Sequence, residues 1–207
     1  MIISHKHKFI YFKATKVAGT STEILLDPIA GESAVVTPIS KSSIYPHQPR
    51  NYDGFDSHTP PSYVKRKEGD VFDSYFKFAS IRNPFDRAVS WFYYKEQINP
   101  FPTEGKNFSE FILGGGLNGL DPHYGFLFIE NKLICDDLIR YETLESDTKR
   151  ILGKYIDVDC IVYPHAKSHQ RKVKKHYSKY YDDKLKEIVA EKYAKDIEYF
   201  GYEFGNN

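Results

Sequence analysis

Twice in this chain a run of β-branched and aromatic residues ends near a cation and passes at once into a helix. "KFIYFKAT" (8–15) leads through Lys16 and a small turn into "GTSTEILLD", and "YFKFASIR" (75–82) leads through Asn83 and Pro84 into "FDRAVSWFYYKE". Such unbroken apolar strands are buried on both faces, and a helix directly after each strand is the pattern of parallel strands joined by crossovers. The first helix reads from about Thr20 to Asp27; the second has Asn83 as its N-cap and Pro84 at its first position. "KLICDDLIRYE" (132–142) reads as a third strand. Further helices are expected near Phe108, broken by Gly114, Gly115 and Gly116, in "LESDTKRILGKY", and in "DDKLKEIVAEKYAKDIEYF". The sum is an α/β fold, a mainly parallel sheet flanked by helices, whose ligands sit at the carboxyl ends of the strands.

At 207 residues with 41% apolar content the chain can bury one substantial core, so a single domain over 1–207 is expected. A net charge of +1 argues against a nucleic-acid partner, which calls for a strong basic excess. Cys135 and Cys160 are too few for a disulfide framework and lack metal or redox spacing, which suits a reducing cytoplasm. No apolar run is long enough to span a bilayer, so no membrane partner is expected. His5 and His7 alternate near the start, but without further ligands they read as surface histidines, and no metal site is expected. Residues 28–61 are rich in Ser, Pro, Gly, His and Asn and read as a long surface excursion suited to an acceptor.

The strand ends carry the chemistry. The first delivers Lys16, Ala18, Gly19, Thr20 and Ser21: an ammonium, small residues for a tight turn, and two hydroxyls at a helix N-terminus, where backbone N–H groups and the dipole favour an anion. Thr20 and Ser21 are expected to cap the helix and bind the anion at once. The second delivers Arg82, placed for a bidentate phosphate clamp, with an ion pair to Asp86 or Asp73 as the plainer alternative. A Walker loop would place its lysine after the glycines and would want a carboxylate for magnesium; "ATKVAGTS" and "SIRNP" offer neither.

In these features the chain resembles the PAPS-dependent sulfotransferases, in particular the branch of carbohydrate sulfotransferases and their bacterial relatives. "TKVAGTS" looks like that family's 5′-phosphosulfate loop, with Thr15 where proline is usual, and "SIRNPFDRAVSWF" looks like its 3′-phosphate motif, with eight residues from Arg82 to Ser90. The likeness continues through "HTPPSYVKR", "LIRYETLESD" and the C-terminal helix. It implies a P-loop-like sulfotransferase fold, PAPS as donor, adenosine 3′,5′-bisphosphate as product, and a hydroxyl acceptor, a carbohydrate or other small molecule. It implies Ser90 as a second 3′-phosphate ligand and Tyr141 beside the adenine. Lys167, Ser168 and Arg171 of the basic tract 165–180 would lie over the nucleotide phosphates.

Lys16, fixed beside the departing phosphate oxygen, would stabilise the charge that grows there in the transition state. Histidine suits the removal of the acceptor proton at neutral pH. The resemblance implies His58, in "DSHTPPSYVKR", for that task; a cap on the helix near Pro61 is its plainer role, and Asp56 or Glu32 could serve as base instead. The competing readings are an ATP-dependent phosphotransferase and a non-catalytic nucleotide- or sugar-binding module. Intact Lys16 and His58 favour the enzyme.

Overall fold

The computed structural model describes residues 1–39, 46–98, 105–159, 162–164 and 175–205. The chain gathers into two compact units, Met1–Ile81 with Phe126–Ala166, and Arg82–Gly125 with Lys167–Asn207.

The first unit is built on a five-stranded sheet in the order β3-β1-β2-β4-β7. Its strands are β1 (Ile2–Ser4), β2 (Phe9–Lys13), β3 (Val35–Val36), β4 (Phe76–Ile81) and β7 (Asp137–Arg140). β4 lies parallel to β2 and to β7, whereas β1 runs antiparallel to both β2 and β3, so β1 alone opposes the common direction. The register pairs Lys13 with Ser80 and Ile81 with Arg140, which brings the carboxyl ends of β2, β4 and β7 to one edge of the sheet. That is the edge the sequence assigns to the ligand.

Both faces are covered, which is why β2 reads as a continuous apolar run. On one face Ile2, Phe9, Tyr11, Phe78 and Ile139 pack against Leu26 and Ala30 of α1 (Gly19–Ala30) and Ile151 and Leu152 of α7 (Leu144–Leu152). On the other, Phe12 meets Phe72 at 6.2 Å between ring centroids. Phe72 belongs to α3 (Asp70–Ser74), which follows α2 (Pro61–Glu68). His5 Nδ1 lies 3.0 Å from the Tyr75 hydroxyl and His7 stacks on Phe9, so both histidines are used by the turn between β1 and β2.

Three boundaries differ from those read in the sequence. α1 runs past Pro28 to Ala30, because a proline in the last turn removes only one late helical donor. The expected excursion from 28 therefore opens with helix and then supplies β3. The single strand expected over 132–142 is two pieces: β6 (Lys132–Leu133) pairs with β5 (Phe128–Ile129), and only Asp137–Arg140 joins the main sheet. Glu130 and Asn131, at φ 52° and 61°, form the two-residue left-handed turn that closes this hairpin. Asp136 then leaves strand geometry, and its carboxylate accepts the Lys77 N–H at 2.7 Å.

The second unit packs α4 (Pro84–Ile98) against α5 (Phe108–Leu113) and α8 (Asp183–Lys192) through Phe85, Val89, Phe92, Phe108, Phe111, Leu185 and Val189. It also holds most of α6 (His123–Leu127), and α9 (Ala194–Phe200), which Tyr193 separates from α8. The final helix is thus two, bent where the Tyr193 hydroxyl donates to the Leu120 carbonyl at 2.8 Å. No helix among the described residues is long and apolar enough to cross a membrane.

Leu26 is fully buried between α1 and the sheet. Leu26→Ala is expected to lower unfolding stability by about 2–5 kcal/mol, the usual cost of a buried leucine cavity. Urea denaturation followed by circular dichroism checks this, and a loss below about 1 kcal/mol would mean that α1 is not anchored by that contact.

Candidate active site

The chain leaves β2 at Lys13 and enters α1 at Gly19 through a turn with two left-handed residues, Lys16 at φ 66° and Ala18 at φ 60°. Neither is glycine, so each costs about 1–2 kcal/mol that the surroundings must supply. Val17 between them is fully buried and Ala14 nearly so, and this fixes the turn to the core. A left-handed residue followed directly by right-handed helix turns successive backbone N–H groups toward one concavity suited to an anion.

Ala18 is itself the N-cap, and no side chain caps the helix. Thr20 and Ser21 occupy the second and third helical positions, so the capping expected of them is not made. The Ala18 carbonyl instead accepts from Ser21 N–H at 2.9 Å and Thr22 N–H at 3.3 Å. The first turn holds no acid. The helix end thus has its dipole and two hydroxyl residues and no carboxylate in the first turn, an arrangement suited to an anion. Gly19 is required by close approach: a Cβ there would lie 2.1 Å from Lys13 Cγ and 2.3 Å from Cδ.

Sequence reasoning overlooked Lys13 and Glu23. Lys13 is buried at the end of an otherwise apolar strand, and its ammonium is paired with the fully buried carboxylate of Glu23, which also binds the Met1 amino group. Burial alone would raise the Glu23 pKa, but its interactions with the Met1 amino group and Lys13 outweigh that and hold the carboxyl below its ordinary value. The signal was present as a lysine at the end of an apolar run.

His58 reaches the same strand end. Its Nδ1 lies 2.9 Å from the Lys13 carbonyl oxygen, which can only accept, so Nδ1 carries the proton and Nε2 is the basic nitrogen. Its backbone N–H donates to Asp56 Oδ1 at 2.8 Å, which commits that carboxylate to the local turn. α2 is capped at Pro60 without any side chain, so His58 is not the helix cap. Partial desolvation of the ring, and then the Lys13 charge, hold its pKa below the ordinary 6.5. The imidazole is therefore neutral at pH 7.

In the second unit Arg82 directly follows β4. Its Nε and Nη2 donate to Asp86 Oδ2 at 2.9 and 2.6 Å, the ion pair that was the plainer sequence reading. Asn83 caps α4 as expected, its side-chain oxygen accepting Phe85 N–H at 3.0 Å. The Arg82 backbone N–H donates to Nε2 of buried His123 at 3.3 Å. Asp196, fully buried, accepts the N–H groups of His123 and Tyr124, both at 2.7 Å. Ser90 is half-buried two turns into α4. Tyr141, half-buried, opens the 3₁₀ turn after β7 in the first unit. Lys167, Ser168 and Arg171 lie outside the described residues. Among the described residues no group of three His, Cys, Asp or Glu side chains is disposed to hold a metal ion.

The family model described as the sulfotransferase family matches residues 1–119, which include β2, the Lys16 turn, His58, Arg82 and Ser90. The chain belongs to the sulfotransferase family. It is 23% identical over 247 residues to carbohydrate sulfotransferase 10 of Xenopus laevis, covering 98% of this chain and 67% of that protein. The Danio rerio protein of that name is 24% identical over 246 residues, covering 98% and 66%, and the Homo sapiens one is 24% identical over 204 residues, covering 79% and 54%. The chain thus spans about two thirds of the length of the first two, or less of the third. No solved structure matches the chain.

For this member of the sulfotransferase family, Gly19→Ala is expected to cost about 1–3 kcal/mol, since the added methyl meets a lysine stem that Glu23 holds in place. The clash should disappear in the Lys13→Ala background, so the two changes are non-additive in a thermal-unfolding cycle. Full additivity would mean that the Lys13 stem does not pack under the turn.

Proposed function

We propose that the protein transfers the sulfuryl group of PAPS to a hydroxyl of a carbohydrate acceptor, with adenosine 3′,5′-bisphosphate as the other product. The observation that carries this reading is the end of β2, where the chain passes through Lys16 into an acid-free helix N-terminus without a side-chain cap, and where His58, from the loop before α2, is hydrogen-bonded to the Lys13 carbonyl with Nε2 left as its basic nitrogen. The turn carries Lys16, and the start of α1 carries two hydroxyl residues and no acid, while the carboxylate of Glu23 is already paired with Lys13; that set fits a phosphosulfate. The name shared by the vertebrate relatives supports a carbohydrate acceptor.

Bound PAPS supplies an activated sulfuryl group on a phosphate leaving group. The N–H groups at the start of α1 and the hydroxyls of Thr20 and Ser21 orient the anion. Lys16 neutralises charge as the sulfur–oxygen bond to phosphate breaks, which stabilises the transition state more than the ground state. His58 Nε2 takes the proton of the acceptor hydroxyl as its oxygen bonds to sulfur, and later releases it to solvent. In the second unit we assign Arg82 and Ser90 to the 3′-phosphate; the Asp86 pair sets the plane of the guanidinium beforehand.

His58→Ala is expected to lower kcat by roughly 10²–10⁴-fold while leaving nucleotide affinity nearly unchanged. Because its folded pKa lies below 6.5, the histidine protonates only below that value. The wild-type rate should therefore fall on the acid side with a midpoint under 6.5, and that limb should vanish in the variant. A variant that keeps both rate and limb assigns the base elsewhere. Lys16→Ala should depress kcat far more than it weakens PAPS binding; near-normal turnover at saturating PAPS removes it from the mechanism. By calorimetry, adenosine 3′,5′-bisphosphate should bind more tightly than adenosine 5′-phosphate, and Arg82→Ala should remove most of the difference, about 1.5–3 kcal/mol. Equal affinities for the two nucleotides in the wild type would end the 3′-phosphate assignment.

A further inference from the structure

We propose that Lys13 is a positioning residue for the active site, one buried lysine that sets the phosphate-binding turn with its side chain and the base with its carbonyl. This rests on the reading of Lys16 and His58 given above.

Three observations meet at this residue. Lys13 is 5% exposed and its ammonium is bound to Glu23, itself fully buried on α1, so the pair ties the end of β2 to the first turns of the helix. The lysine stem fills the space that a Gly19 Cβ would need, at 2.1 and 2.3 Å from its Cγ and Cδ, so it supports the turn from beneath. The Lys13 carbonyl accepts from His58 Nδ1 at 2.9 Å and so fixes which nitrogen faces outward as base. A buried ion pair is seldom the most stabilising filling for such a space, since apolar residues of similar size generally do as well or better. Its placement is better accounted for by geometry: strand end, turn and histidine cannot shift independently while Lys13 is bound to Glu23.

The charge also acts on the base. The groups that bear on the His58 ring are Lys13 of β2, the Met1 amino group just ahead of β1 and Glu23 of α1, with Asp56 bonded to its backbone in its own loop. Lys13 exerts the largest of these charge effects and disfavours the imidazolium, whereas Glu23 favours it more weakly. Removing both charges should therefore raise the pH at which His58 protonates.

The test is the double variant Lys13→Met with Glu23→Gln, which keeps approximate size and removes both charges, compared with Lys13→Arg, which keeps the positive charge. Folding is checked by circular dichroism. NMR titration of the His58 ring, assigned with His58→Gln, needs neither donor nor acceptor. The double variant is expected to titrate at higher pH than wild type, and its acidic rate limb should move with it while kcat falls about 10–100-fold. Lys13→Arg should keep the wild-type midpoint. An unchanged midpoint in a folded double variant overturns the proposal. So does a midpoint in Lys13→Arg that moves upward, which serves as the deciding result if the double variant does not fold. If the midpoint shifts as expected but the wild-type protein transfers no sulfuryl group, the functional reading fails and the role of Lys13 in setting His58 stands.

Discussion

The candidate site depends on the burial of Val17. Two left-handed residues flank it, and each would relax to ordinary backbone if nothing opposed the change, because a Cβ in that region is crowded by its own carbonyl. Val17 at zero exposure opposes it. Removing a valine side chain from the core forfeits about 1.5–3 kcal/mol, comparable to the strain of the two residues together. The turn is thus held by hydrophobic burial, and its backbone N–H groups need no side-chain cap to keep their direction.

Electrostatics around this turn are arranged by separating charges that are neutralised from charges that are available. Glu23 lies on the buried side of α1 and is paired with Lys13, so its charge is cancelled before it can oppose an anion at the helix end. His58 stands next to that cluster and is kept neutral by partial desolvation and by Lys13. One cation bound to a carboxylate thus coexists with a histidine that stays basic at neutral pH. The sheet makes the arrangement possible, since β2 is central and parallel to β4, and the carboxyl ends of both strands lie at the same edge.

Periodicity was enough to read β2, β4 and α4 in the sequence, because strands buried on both faces and a Pro-initiated amphipathic helix leave strong local patterns. The turn after β2 and the place of Arg82 at the end of β4 were legible because each strand passes at once into a helix, the first through small residues and the second through Asn-Pro. Long-range geometry was not legible. β1 and β3 are too short to show a period, and their pairing with each other joins residues 2–3 to residues 35–36. Lys13 and Glu23 are ten residues apart on different elements, and only the fold shows that each buries the other. The N-cap of α1 also escaped, since Ala18 reaches the capping position by an unfavourable backbone conformation that composition does not encode.

In the second unit the ion pair of Arg82 leaves room for the phosphate role proposed for it. The sequence allows Arg82 either a structural ion pair or a phosphate clamp, and its pair with Asp86 is present. Asp86 sits in the first turn of α4, where the helix dipole favours a carboxylate, and one of its oxygens accepts from both Nε and Nη2. That geometry fixes the plane of the guanidinium and removes most of the rotamer freedom that a long side chain would otherwise lose on binding, a cost of about 0.5–1.5 kcal/mol. His123 fixes the main chain at the same residue by accepting the Arg82 N–H, and Asp196 in turn holds the His123 backbone. A phosphate approaching Arg82 would meet a donor already oriented by side chain and backbone alike. The Asp86 carboxylate reduces the net positive charge of the site, so what the pair supplies is direction more than attraction.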